Sequence, residues 1–109
     1  MGNLIVSDLS LQMVAAVRPL VARIKKQDRS LADQLVRAAS SVCLNSAEAD
    51  YSDPGNKRAR LFTAAGSANE TRAALRVAVA WSYCGAKDAE APLALLDRIV
   101  AILWRLTHR

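Results

Sequence analysis

The chain predicts an all-α fold, an up-down-up-down antiparallel four-helix bundle in a single domain spanning 1–109. Three observations carry that reading. Ala, Leu and Val dominate a composition that is 52% hydrophobic but only 5% aromatic, and Ala and Leu lose little entropy on entering a helix. Apolar residues recur at three- and four-residue steps along four segments. Only four glycines occur, too few turns for a fold of many short strands. A chain of 109 residues has room for one core and no second.

The first helix is expected over 8–26. Met13, Val14, Val17, Leu20, Val21 and Ile24 form its stripe, and Pro19 kinks it without ending it, because the periodicity continues beyond. Arg23, Lys25 and Lys26 suit the negative end of its dipole. Ser30 opens the second helix, with Asp33 three residues on as a weak capping box. Leu31, Leu35, Ala38, Ala39, Val42 and Leu44 are its expected inner side. Asp53-Pro54-Gly55 makes the next turn: Asp caps and Pro presets φ for a helix start.

The third helix is expected over 56–83, with Gly85 as its stop. Asp88 is the expected cap of the fourth, with Pro92 confined to the first turn. Leu93, Leu96, Val100 and Leu103 line one face of that last helix. Leu95, Ile99, Ile102 and Leu106 line a second, and Trp104 adds to it. The third helix likewise carries Val77 and Trp81 beside its core positions. So much apolar area predicts self-association through Val77, Trp81, Leu95, Ile99, Ile102, Trp104 and Leu106.

Folding the second and third helices back around Asp53 sets Glu48 near Arg58 or Arg60 and Ser41 near Ala65. Small residues then face small residues, Ala38 to Ser41 against Ala64 to Ala68. Axes are expected to approach to about 8 Å, with Gly66 retained for close backbone contact despite its cost of roughly 1 kcal/mol within a helix.

These segments, LADQLVRAASSVCLNSAEAD and RLFTAAGSANETRAAL, resemble the four-helix bundle family of proteins encoded in intervening sequences of bacterial 23S rRNA genes. Leu31, Gln34, Leu35, Arg37, Ala38, Ala39, Ser41, Val42, Asn45, Ala47 and Glu48 match the pattern of the family's second helix. Arg60, Phe62, Ala65, Gly66, Ser67 and Glu70 match that of its third. Cys43 stands where the family has proline, Ser46 where it has isoleucine, Ala49 where it has glycine, and Arg72 where an acid is common. The resemblance implies a ring-shaped homopentamer. Through the related accessory variability proteins of diversity-generating retroelements, it also implies association with a reverse transcriptase and with RNA or DNA.

Catalytic groups are sparse. Glu48 is the one candidate general base, and this threading brings no nucleophile, metal ligand or histidine to it. Asn45, Glu48, Ser67 and Glu70, with Glu70 facing Arg37 or Gln34, are expected to form a structural polar layer that sets helix register. Arg105 precedes His108 by three residues, short of the four to six that a helical-bundle ribonuclease of the HEPN type uses. Acids are too scattered to hold magnesium, and no glycine-rich phosphate loop occurs. Cys43 and Cys84 match no metal-ligand spacing and are expected as free, packed thiols. No enzyme activity, cofactor or metal is expected. The N-terminal residues lack a signal-peptide pattern, and no uncharged apolar run reaches about 18 residues. A cytoplasmic protein with no membrane partner is the expectation.

Charge placement is more informative. The net charge is +5, and the sequence pI is near 9.8. In an up-down-up-down bundle, the start of the third helix and the end of the fourth share one pole. That pole gathers Lys57, Arg58, Arg60, Arg105, His108 and Arg109. The opposite pole gathers Arg23, Lys25, Lys26, Arg29 and Lys87, diluted by Asp28, Asp33, Asp88 and Glu90. Two functions follow. One is a non-enzymatic oligomeric scaffold or adaptor that binds nucleic acid through Lys57, Arg58, Arg60, Arg105 and Arg109. The other is a purely protein–protein assembly module whose charge serves solubility.

Overall fold

The computed structural model describes residues 2–109, with side chains from Ile5 onward. Four helices follow one another: α1 (Gly2–Gln27), α2 (Arg29–Ala49), α3 (Pro54–Ala80) and α4 (Ala86–Thr107). No strand occurs among the described residues. α1 packs on α2, α2 on α3, α3 on α4, and α4 back on α1. That square, closed by short connections, is an antiparallel four-helix bundle. The bundle measures 42 × 22 × 19 Å, so its length is close to that of one helix of 27 residues at about 1.5 Å per residue.

Each helix buries a seam with steps of three and four. α1 contributes Val6, Leu9, Met13, Val17, Leu20 and Ile24; α4 contributes Ala89, Leu96, Ile99 and Leu103. α2 supplies Ala32, Leu35, Ala39, Val42 and Ala49, and α3 supplies Leu61, Ala64, Ala68, Leu75 and Ala78. A seam repeating near every 3.5 residues favours the shallow crossing of coiled-coil-like packing. Bulk is unequal: α1 and α4 bring most of the large side chains, while α2 and α3 bring mostly alanine. The α2–α3 contact is correspondingly the most extensive of the four. Truncating Leu96 or Leu35, both fully buried, removes atoms with no solvent alternative and costs about 2–5 kcal/mol.

The structure corrects several local expectations. α1 starts earlier than expected because Val6 and Leu9 extend its buried stripe. As expected, it continues through Pro19, which is exposed. With two charges tolerated in an 18-residue window, Ile5–Gln27 has the length and mean hydropathy, 1.4, of a membrane-crossing helix; in the bundle its buried stripe forms one side of the core. α2 is capped by Asp28, not Ser30: the Asp28 carboxylate accepts from the Leu31 amide at 2.9 Å. Leu44 is 63% exposed; the inner side of α2 passes through Ser46 instead.

α3 ends at Ala80, and Gly85 is not its stop. Ser82 takes the left-handed conformation with φ 61°. Its amide donates to the Val79 carbonyl, and the Tyr83 amide donates to that of Ala78, each at 2.9 Å. This paired bonding is a Schellman motif with serine where glycine is usual. Gly85 caps α4 instead, and Asp88 lies within its first turn. α4 therefore begins early enough to place Pro92 in its second turn, where the ring is buried and one backbone hydrogen bond is forfeited.

Gly66 is also corrected. It is exposed, and a Cβ built there meets nothing within 4 Å. Ala64 and Ala68 face the core in its place, both fully buried.

Candidate nucleic-acid interface

Two side-chain systems start from the end of the bundle where α3 begins and α4 finishes, and the first runs inward to the middle of α3. The first is a polar ladder between α2 and α3. Arg60 Nη1 sits 2.9 Å from Glu48 Oε2 and donates to Asn45 Oδ1 at 3.4 Å. Asn45 Nδ2 donates to the Ser41 carbonyl at 3.0 Å and to Ser41 Oγ at 3.1 Å. Ser41 and Ser67 share a hydroxyl hydrogen bond of 2.7 Å across the helix pair. Three of the four expected polar-layer residues, Asn45, Glu48 and Ser67, thus join one network. Glu70 does not: it is exposed, and no hydrogen bond ties it to Arg37 or Gln34.

The ladder is half-exposed, so the Arg60–Glu48 pair, at 49% and 54% side-chain exposure, contributes at most about 1 kcal/mol. Its value lies in geometry. Glu48 and Arg60 are engaged with each other within one protomer.

The second system is aromatic and cationic. Trp104 and His108, one turn apart on α4, stack with ring centroids 4.2 Å apart and planes 10° from parallel. His108 Nδ1 lies 2.8 Å from the Trp104 carbonyl oxygen, which fixes the imidazole over the indole. Phe62 of α3 reaches His108 at 6.2 Å, tilted by 60°. Arg58 lies over the Phe62 ring at 5.2 Å, within cation–π range. The two helix ends therefore share one pole, as the topology requires. Arg105 and Arg109 are exposed. With Arg98 they border a shallow groove that also holds Ile5, Ile102 and Leu106. Lys57 is half-buried at the start of α3. The hydropathy pattern did not reveal the ring set; the i, i+4 spacing of Trp104 and His108 is the signal that could have.

The turn before α3 is fixed by Asp53, whose carboxylate accepts from the Asn56 amide at 3.0 Å and from its side-chain amide at 2.8 Å. Those bonds, the backbone one first, hold the Asp53 carboxyl below its ordinary range. At the opposite pole Arg23 pairs with Asp88 at 2.8 Å, so acids do dilute that end. Between the poles Arg72 joins Asp97 across α3 and α4 at 3.0 Å. Cys43 is half-buried and Cys84 buried, both free, and burial raises both thiol pKa values.

Of the expected self-association residues, Val77, Trp81 and Trp104 are exposed, at 43%, 67% and 57%. Leu95, Ile102 and Leu106 are half-buried against the core edge. Ile99 is fully buried in the protomer core, because it continues the Leu96–Leu103 seam, and is not available to a partner. Exposed apolar groups also occur where none were expected. Leu11 is 63% exposed and Val36 44%, on the rim of an apolar groove between α1 and α2 that Val14 and Val21 help to line.

The fold places the chain among antiparallel four-helix bundles. The sequence pattern of the 23S rRNA-intervening sequence proteins matches residues 2–105, and the chain belongs to that family. The fold is similar to that of a solved protein of unknown function from the S23 ribosomal protein family of Bacteroides thetaiotaomicron. The two share 20% identity with a TM-score of 0.89, over 100% of both chains. No curated protein matches the chain.

Proposed function

We propose that this chain is a non-enzymatic, homo-oligomeric scaffold that binds RNA or DNA through the pole built from the start of α3 and the end of α4. One observation carries the reading: Arg58, Arg105 and Arg109 are all exposed at that pole, Arg58 over the Phe62 ring and the other two beside the groove with Ile102 and Leu106. Phosphate backbones are attracted by such a cluster without regard to sequence, and a ring of subunits multiplies its potential. The engagement of Glu48 by Arg60 supports a scaffold over a hydrolase.

Self-association is supported by two different apolar faces. One is the α1–α2 groove with Leu11 and Val36, and the other is the α3 surface with Val77 and Trp81. Unlike faces that meet make a head-to-tail contact, which closes into a ring when the rotation permits. Five subunits is what the family likeness implies. Sedimentation of the native chain should give a multiple of 11.8 kDa, and either Trp81→Glu or Leu11→Glu should dissociate it. A monomer at micromolar concentration overturns the assembly.

The binding test is a salt series with labelled RNA and DNA. Affinity should fall steeply as salt rises, with a slope of about 0.7–0.9 per phosphate neutralised. Replacing Arg58, Arg105 and Arg109 with glutamine should flatten that slope and leave the melting temperature in place. Arg60 is spared in that variant because it belongs to the ladder. Absence of binding at low salt would favour the protein-only assembly module.

A further inference from the structure

Within the basic pole stands a set of rings that the fold leaves about half exposed. Trp104 is 57% exposed and Phe62 is 46% exposed, a large outlay of apolar surface for a chain whose rings make up only 5% of residues. The rings are also ordered. The His108 imidazole is hydrogen-bonded to the Trp104 carbonyl and lies parallel to the indole, and Arg58 covers Phe62. Ordered side chains lose little further freedom when a ligand arrives.

Charge decides what such a surface suits. Arg58 lies over the Phe62 ring, and Arg105 and Arg109 lie about 100° further round the helix from Trp104 and His108, where they border the groove with Ile5, Ile102 and Leu106. An apolar protein face would leave those guanidinium groups desolvated and unpaired, which is costly. A polyanion with free planar groups satisfies both features at once. Unpaired nucleotides are such a ligand: phosphates meet the arginines and bases stack on the rings, as on other single-strand surfaces. Duplex DNA or RNA offers the phosphates but keeps its bases stacked inside.

We infer that Trp104, His108 and Phe62 form a base-stacking platform, and that this pole takes single-stranded nucleic acid in preference to duplex. The inference rests on the nucleic-acid reading above and narrows it. It also removes Trp104 from the self-association surface, which keeps Val77 and Trp81 at the far end of α3 and the α1–α2 groove with Leu11 and Val36.

Trp81→Phe leaves Trp104 as the only indole, so its fluorescence reports the platform directly. The probes are a ten-nucleotide oligothymidylate, an abasic strand with the same number of phosphates, and a ten-base-pair duplex. Oligothymidylate should quench Trp104 saturably and bind more tightly than the other two. In the native chain, Trp104→Leu should weaken oligothymidylate binding about five- to a hundredfold and leave abasic binding unchanged. Trp104→Phe should restore most of the loss, and both variants should keep the native helical content and sedimentation. Equal binding of all three probes, unaffected by Trp104→Leu, would overturn the platform while leaving the charge-based reading in place. Dissociation of the assembly by Trp104→Leu would overturn it by returning Trp104 to the subunit interface. No binding of any probe at low salt would remove both readings.

Discussion

The Ser41 and Ser67 hydroxyls meet at 2.7 Å, a direct side-chain bridge between α2 and α3. Ser41 Oγ also lies within reach of Asn45 Nδ2, so each hydroxyl depends on the other for a complete set of partners. Removing one should cost about 1 kcal/mol. Ser41→Ala and Ser67→Ala together should cost less than the sum of the singles, with a coupling of at least about 0.5 kcal/mol in urea denaturation. Strict additivity would show that the hydroxyls do not bond.

Ser46 presents the opposite case. It is fully buried, and its hydroxyl has no hydrogen-bond partner. The other fully buried hydroxyl residues solve the problem locally: Ser10, Thr71 and Thr107 each donate to the carbonyl four residues earlier, while the Ser7 hydroxyl, on a half-buried residue, shares the lack of a partner. Ser46 does not, and the family pattern has isoleucine there. Ser46→Ala should therefore stabilise the fold by about 1 kcal/mol, by deleting a desolvated polar group. On a chain this size that raises the melting temperature by about 4–8 °C. A lower melting temperature would mean the hydroxyl has a partner in solution.

Gly66 lies in the middle of α3 with open space where a side chain would go. Its flexibility in the unfolded chain is then an uncompensated loss on folding. Gly66→Ala should add about 0.5–1 kcal/mol to stability in thermal or urea unfolding. Even Gly66→Leu should leave the melting temperature nearly unchanged, whereas a steep fall would restore the close helix approach at this residue.

The four helices and their order were legible because α1 and α4 carry clean apolar stripes and Asp53-Pro54 marks a turn. The pairing of α2 with α3 was legible only to within two residues: Ser41 was expected opposite Ala65 and meets Ser67. Side chains lean toward the N-terminus of their own helix, so a given contact is made by residues about one position further along each strand of the pair. Two antiparallel helices therefore shift the contact register by two. The buried face of α2 was misread at Leu44 for a different reason. Hydropathy favours leucine over serine for the interior, but Val42, Ser46 and Ala49 hold the seam, and helical phase outranks side-chain polarity. The aromatic platform escaped notice because Phe62 and Trp104 are distant in sequence, and each alone reads as an ordinary apolar residue.

The chain reversal after α3 offers the sharpest test of backbone strain. Ser82 holds φ at 61°, a conformation in which Cβ crowds the backbone and costs a residue with a side chain roughly 1–2 kcal/mol. The surrounding bonds impose it. The amides of Ser82 and Tyr83 both turn back onto the last carbonyls of α3, and Tyr83 packs against the core edge beyond the turn. Relaxing Ser82 would break both bonds. Glycine removes the crowding and keeps the bonds, but it also widens the unfolded ensemble. The net for Ser82→Gly should be a gain of about 0.5–1 kcal/mol. Ser82→Val should lose more than that, because a β-branched side chain suffers most at positive φ. Thermal unfolding of the two variants should therefore bracket the native chain from opposite sides; Ser82→Val melting at or above the native chain would show that this turn does not adopt the left-handed form.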